Sequence, residues 1–175
     1  MIYFTSDLHF GHRNMALKRH FSSAEEMDAV LTENWNRCVR SDDEIYILGD
    51  FTMQGAAFAM EKLHRLNGRK YLVRGNHDIF ADKTAFDRSL LKWIKDYHSL
   101  SYQKQRFVLM HYPIEEWDGF FRGTIHLHGH QHNGPEQNAE NLRNSLRRYD
   151  VGVDANGMTP VSMERILAFF EKEER

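Results

Sequence analysis

The stretch Lys70-Tyr71-Leu72-Val73-Arg74-Gly75-Asn76-His77-Asp78 decides how the rest of the chain is read. A short β-type run, Lys70 to Arg74, ends on a glycine and then delivers an amide, an imidazole and a carboxylate in succession. Glycine lets the backbone turn tightly beside a ligand, and in α/β sheets the loops at the carboxyl ends of strands build the binding crevice. The same grammar recurs on both sides. Ile2 to Ser6 leads into Asp7, Leu8 and His9, and Glu44 to Leu48 into Gly49 and Asp50. Arg106 to Met110 leads into His111, and Thr124 to His128 into Gly129, His130, Gln131 and His132. Tyr149 to Val153 is a further strand candidate.

Helical patterns fill the gaps, which makes the chain α/β. Ser22 and Glu25 form a capping box, after which Met27, Val30, Leu31, Asn34 and Cys38 recur at three-and-four spacing beside Trp35, a core-facing stripe. Gly55 to Leu66 reads as a second helix, Asp82 to Leu91 as another, and Ser162 to Glu171 as the last, with Ser162 as its cap. Asn138 to Leu146 reads as a loop or a short helix.

A length of 175 residues favours one domain, 1–175, and 41% hydrophobic with 27% charged residues is ordinary for a soluble protein. The start, MIYFTSDLHF, lacks the features of a signal peptide, and no apolar run is long enough for a membrane span. Cys38 has no partner for an intramolecular disulfide, which suits a reducing, cytoplasmic setting. A net charge of −2 offers no broad attraction to nucleic acid or anionic lipid, so neither a stable nucleic-acid complex nor a membrane partner is expected. Nothing in the sequence specifies an oligomeric state.

The strand ends collect two carboxylates (Asp7, Asp50), one amide oxygen (Asn76) and four imidazoles (His9, His111, His130, His132). One ion rarely takes so many mixed ligands; two ions, each keeping a position open for water or substrate, account for them better. A carboxylate has two oxygens and can bridge, and Asp50 is the candidate. Two divalent ions against two carboxylates leave a net positive site, even with a bridging hydroxide, suited to attracting and polarising a phosphate. Oxygen and nitrogen donors without thiolate suit Mn²⁺, expected first, or Fe²⁺, Zn²⁺ or Co²⁺.

With these blocks in order, the sequence resembles the calcineurin-like metallophosphoesterase superfamily, whose pattern is D-x-H, G-D, G-N-H-[DE], H and G-H-x-H; a small prokaryotic or phage type is implied. Asp7-Leu8-His9, Gly49-Asp50, Gly75-Asn76-His77-Asp78, His111 and Gly129-His130-Gln131-His132 match it block by block. The resemblance implies a four-layer α/β/β/α sandwich. It also implies that Asp7, His9 and His132 hold one metal, Asn76, His111 and His130 the other, and that Asp50 is shared. A water or hydroxide between the metals attacks the phosphorus. His77 corresponds to the histidine that protonates the leaving oxygen, and Asp78 to the carboxylate that orients it.

The substrate expected is a small, nucleotide-like phosphodiester, with a phosphomonoester as the alternative and a non-enzymatic protein-binding scaffold as the rival from another class. The chain shows no inserted cap domain to enclose a small monoester, and the complete ligand set argues against a scaffold. His12, Arg13 and Asn14 follow the first metal motif and are candidates for substrate contact. So are Tyr112, Trp117 and Arg122, in a loop with aromatic faces and one cation; Trp117, Phe120 and Phe121 could equally pack that loop onto the body. His126 and His128 suit strand packing, Asp150 and Asp154 an ordinary turn, and His20, His64 and His98 no part in the site. Other phosphate-handling classes fail on named residues. No G-x-x-x-x-G-K-[ST] loop occurs; Glu44 stands where a cysteine phosphatase needs Arg after Cys38; His9 replaces the second Asp of D-x-D; and His77-Asp78 follows a strand rather than lying on a helix.

Overall fold

The computed structural model describes residues 1–171. The first strand, β1 (Ile2–Thr5), pairs in parallel with β2 (Glu44–Ile47), and β2 with β3 (Arg69–Val73), so that Phe4, Tyr46 and Tyr71 stand in register. Three consecutive strand ends therefore point the same way. Two short strands extend this sheet, β4 (Ile94–Lys95) beside β3 and, from the far end of the chain, β9 (Val161–Ser162) antiparallel to β1. The second sheet runs β5 (His98–Tyr102), β6 (Gln105–Leu109), β7 (Ile125–His128) and β8 (Arg148–Asp150), with β6, β7 and β8 parallel.

Alternation along the strands builds the layers. Tyr3, Ile45, Ile47 and Leu72 join the cluster of Met27, Leu31, Trp35, Ala59 and Leu63, which belong to helices α2 (Ala24–Cys38) and α3 (Ala56–Arg65). Their neighbours Phe4, Tyr46, Leu48 and Val73 turn the other way, against Phe107, Leu109, Ile125, Leu127 and Tyr149 of the second sheet. A one-residue slip in register would exchange the two faces, so burial on both sides pins it. Helix α5 (Met163–Glu171) adds Met163, Ile166 and Phe170 to the inter-sheet core, capped by Ser162 Oγ, which accepts from Arg165 N–H. Two sheets packed face to face and flanked by helices form the α/β sandwich that the sequence implies. Among the described residues no helix is long and apolar enough to cross a membrane.

Several local features differ from the sequence reading. The cap of α2 is Ser23, one residue later than expected: Ser23 Oγ accepts from Glu26 N–H, and the Glu26 carboxylate reaches back to Ser22 N–H at 2.7 Å. Consecutive serines followed by consecutive glutamates satisfy the capping pattern in either register. Residues 82–91 form no α-helix. Two 3₁₀ turns, Ile79–Asp82 and Arg88–Leu90, flank Phe86, and Phe80, Phe86 and Leu91 plug the core at irregular spacing. The open segment is helix α4 (Glu136–Arg143), and a short helix α1 (Arg13–Lys18), β4, β5 and β9 carry no periodic signal strong enough to reveal them.

Candidate active site

The loops that follow the strands are laced together before any side chain is considered. Asp7 N–H donates to Gly49 O at 3.0 Å and His9 N–H to Asp50 O at 2.9 Å, joining the ends of β1 and β2. Ser6 bridges to Gly152, which draws the second sheet to the same edge. Asp7, His9, Asp50, His130 and His132 all have positive φ, between 49° and 73°. Left-handed backbone is uncommon outside glycine, and its concentration here is the strain expected of residues forced to aim at one point. Gly49, at φ 89°, has no room for a side chain, since a Cβ would collide with His111 Nδ1 and the Gly75 backbone; one at Gly129 would strike Ser6 Oγ and the Asp7 carboxylate.

The donors gather in two groups. Asp7, His9 and His132 form one and Asp50, His111 and His130 the other, each with ligand atoms within 4.8 Å of one another. In the first, His9 Nε2 and His132 Nε2 are 3.2 Å apart; in the second, His130 Nδ1 is 3.2 Å from His111 Nε2, and Asn76 Oδ1 is 3.1 Å from the same nitrogen. An ion about 2.1 Å from each of two ring nitrogens, at roughly 90° to 110°, would place them about 3.0–3.4 Å apart. The donor set therefore fits divalent metal. Asp50 Oδ2 lies between the groups, 3.6 Å from His9 Nε2 and 3.5 Å from His111 Nε2.

Burial supplies the electrostatic tension. It drives the Asp7 carboxyl up to about 7, with Asp150 and Asp50 adding repulsion, and it lowers His9 to about 3, so that this imidazole is neutral with a lone pair to give. Asp50 is also raised by burial, but the hydrogen bond and charge of His111, the His77 N–H and His9 outweigh it and hold the group at about 2. His111 Nδ1–H donates to Leu48 O at 2.8 Å, which leaves Nε2 as the ligating atom.

His77 lies beside Asp50 and is partly exposed. Its backbone N–H donates to Asp50 Oδ1 at 3.0 Å, its Nε2 is 3.9 Å from Asp50 Oδ2, and its side chain is 35% exposed. It belongs to neither donor group. Asp78 differs from the role implied for it. Its oxygens accept from the N–H groups of Asp50 (2.9 Å), Phe51 (2.8 Å) and Gly75 (2.8 Å), so it clamps the loops after β2 and β3 together instead of orienting the His77 ring.

The substrate candidates divide. His12 caps α1 by accepting from Met15 N–H at 3.0 Å, its ring is 5.6 Å from that of His9, and with Arg13, Asn14, Met53 and Gln54 it lines a cleft of about 410 Å³. Tyr112 lies edge-on to His130 with ring centroids 4.7 Å apart, and shares a cleft of about 280 Å³ with Asn76, Ile79, Met110 and Arg74. Trp117 and Arg122 are not brought to the donors. Trp117 is only 6% exposed, its Nε1–H donates to Thr124 O at 2.9 Å, and its ring packs on His126 and Phe120. The packing alternative holds for it. Arg122 pairs with Asp118 and lines a separate surface hollow with Phe120 and Phe121.

Two participants escape the sequence reading. Asp154, expected to serve a turn, accepts from His132 Nδ1 at 2.9 Å and pairs with Arg19. Extending the strand-then-ligand rule to Tyr149–Val153 would have singled it out. Arg19 has no such signal, because the helix before it is not legible. Asp150 does serve its turn, accepting from Gly152 N–H at 2.8 Å.

Comparison with known proteins agrees with this geometry. Residues 1–151 match the calcineurin-like phosphoesterase superfamily domain. An uncharacterized protein of Methanocaldococcus jannaschii is 34% identical over 175 residues, covering 98% of this chain and 92% of that one. The gene 66 protein of Mycobacterium phage D29 is 30% identical over 181 residues, covering 88% of each chain. Among solved structures, a protein of unknown function from Aquifex aeolicus superposes with a TM-score of 0.75 at 26% identity, covering 96% of this chain and 98% of that one. The chain belongs to the calcineurin-like phosphoesterase superfamily. With its two His/Asp donor groups, that membership makes it a metal-dependent phosphoesterase, a hydrolase of ester bonds.

Proposed function

We propose that the chain hydrolyses small, nucleotide-like phosphodiesters at a centre of two divalent ions, Mn²⁺ before Fe²⁺, Zn²⁺ or Co²⁺. The observation that carries the two-ion reading is Asp50 Oδ2, placed almost equally from His9 Nε2 (3.6 Å) and His111 Nε2 (3.5 Å) between the two donor groups. Asp7, His9 and His132 would hold one ion, Asn76, His111 and His130 the other, and Asp50 would serve both. When bound, such ions polarise a phosphoryl oxygen and lower the pKa of water so that it attacks at neutral pH. The chain's own residues do the rest. His77, whose Nε2 is 3.9 Å from Asp50 Oδ2 and which belongs to neither group, protonates the oxygen that leaves. Asp78 keeps the loops carrying Asp50 and His77 in mutual position through three backbone hydrogen bonds.

A diester has two substituents to place, and two clefts adjoin the donors. Next to Asn76, the Tyr112 ring and Ile79, 61% exposed, offer apolar surface for a planar group; next to His9, the cleft of His12, Arg13 and Asn14 offers polar donors. The net charge of −2 supports a small diester over a stable nucleic-acid complex. Comparing kcat/KM for matched mono- and diesters sharing one leaving group tests this. Preference for the diester, lost with Tyr112→Ala or Ile79→Ala, is expected; preference for the monoester, unchanged in both variants, overturns it in favour of a phosphatase.

A further inference from the structure

Asp154 lies outside both donor groups, yet it governs how one of them is aimed. Its Oδ2 accepts from His132 Nδ1 at 2.9 Å, which keeps the proton on Nδ1 and presents the bare Nε2 to His9 Nε2 at 3.2 Å. The same carboxylate is held in a fork by Arg19, whose Nε donates to Oδ1 at 2.8 Å and Nη2 to Oδ2 at 2.7 Å. The guanidinium does not stop there. Nη2 also donates to Asp7 O at 2.7 Å and Nη1 to Leu8 O at 3.2 Å, on the backbone where Asp7 is held at φ 58°. The Arg19 side chain is 2% exposed, so it is committed to these contacts rather than to water.

One buried cation thus touches both ends of a single donor group: Asp7 through its carbonyl, and His132 through Asp154. Among the described residues, the other group has no such cation. His111 there is oriented by a neutral carbonyl, and Asn76 stands exposed at the cleft. We infer that Arg19 and Asp154 are positioning residues that set the metal affinity of the Asp7–His9–His132 position selectively, leaving the Asp50–His111–His130 position alone. The inference rests on the two-metal reading above. An imidazole oriented by a carboxylate is also a stronger donor than one oriented by a carbonyl, and the guanidinium fork fixes where that carboxylate sits.

The test is a Mn²⁺ titration of the full chain, followed by calorimetry and electron paramagnetic resonance, so that both positions are read without turnover. Asp154→Asn, which keeps the shape and loses the charge, should weaken one position about 10–100-fold and leave the other unchanged. Arg19→Lys, which keeps the charge and loses the fork, should fall between Asp154→Asn and the wild type. In metal-free Asp154→Ala, long-range ¹H–¹⁵N spectra should show His132 losing its Nδ1–H preference. The double variant Arg19→Met/Asp154→Leu removes the pair without stranding a buried charge, and should reproduce the one-position loss. Equal weakening of both positions, or a lower metal-free melting temperature with both affinities unchanged, would reduce the pair to a structural salt bridge and overturn the inference. A wild type that binds no second Mn²⁺ would instead overturn the two-metal reading itself.

Discussion

The metal-donor edge and the loop 112–122 lie next to each other in sequence and use similar residue types, but the structure spends them in opposite ways. On the donor edge, two imidazoles have one nitrogen tied down and the other aimed into a donor group: His111 through Leu48 O and His132 through Asp154. In the loop the polar end of the aromatic group is tied down and its face is covered, as Trp117 is by Thr124 O and His126. A residue type suited to chemistry makes a site only when its reactive atom is left over after packing. Tyr112, at the hinge between the two regions, keeps part of its ring open and joins the donor edge instead of the packed loop.

That contrast can be broken most directly at Asp50. Asp50→Asn should deplete both ions and take activity to background, whereas His9→Ala should deplete mainly one; elemental analysis of the purified variants checks it. Removal of metal from the wild type by chelation should give the same loss, restored by Mn²⁺. Next comes His77→Ala, expected to keep its metal and lose turnover about 10²–10⁴-fold, less for aryl esters, whose leaving groups need little protonation. Loss of metal in that variant would make His77 a ligand.

In the loop the expected effects move from rate to stability. Trp117→Ala should cost about 3–5 kcal/mol in denaturant unfolding while kcat/KM per folded molecule changes little; a large loss of kcat/KM at unchanged stability would return Trp117 to the substrate site. Beneath it, burial lowers His126 to about 3, with the charges of His128 and Arg148 in the same direction. Its folded pKa is below the ordinary 6.5, so the unfolded chain takes up the proton first. The stability it contributes is whole above pH 6.5 and is lost as pH falls toward 3, by about 1.4 kcal/mol per pH unit. His126→Gln should flatten that part of the profile of unfolding against pH. The smallest effect is assigned to Arg122→Ala, for which both stability and kcat/KM should match the wild type, since an exposed pair such as Arg122–Asp118 contributes little.

Much of this was legible because it is local. Each strand announces itself by a β-type run, and each donor follows directly after it, as Asp7 follows Ile2–Ser6 and Asn76 follows Lys70–Arg74. Parallel pairing of β1, β2 and β3 then carries those donors to one edge, which is why order along the chain was enough to assemble the donor set. What the tertiary structure alone decided are the contacts between distant segments. Whether Ser22 or Ser23 caps α2 depends on a helix start that two equivalent registers allow. Asp78 was taken from its neighbour His77 by the backbone of Gly75, Asp50 and Phe51, which only the packing of two loops places around it. Arg19 and Asp154 meet across 135 positions of sequence, and no periodicity in either segment encodes that meeting. A strand and the ligand at its end are settled by neighbours in the chain, whereas a hydrogen-bond partner is settled by which buried group would otherwise go unsatisfied, and that is known only once the sheets have closed.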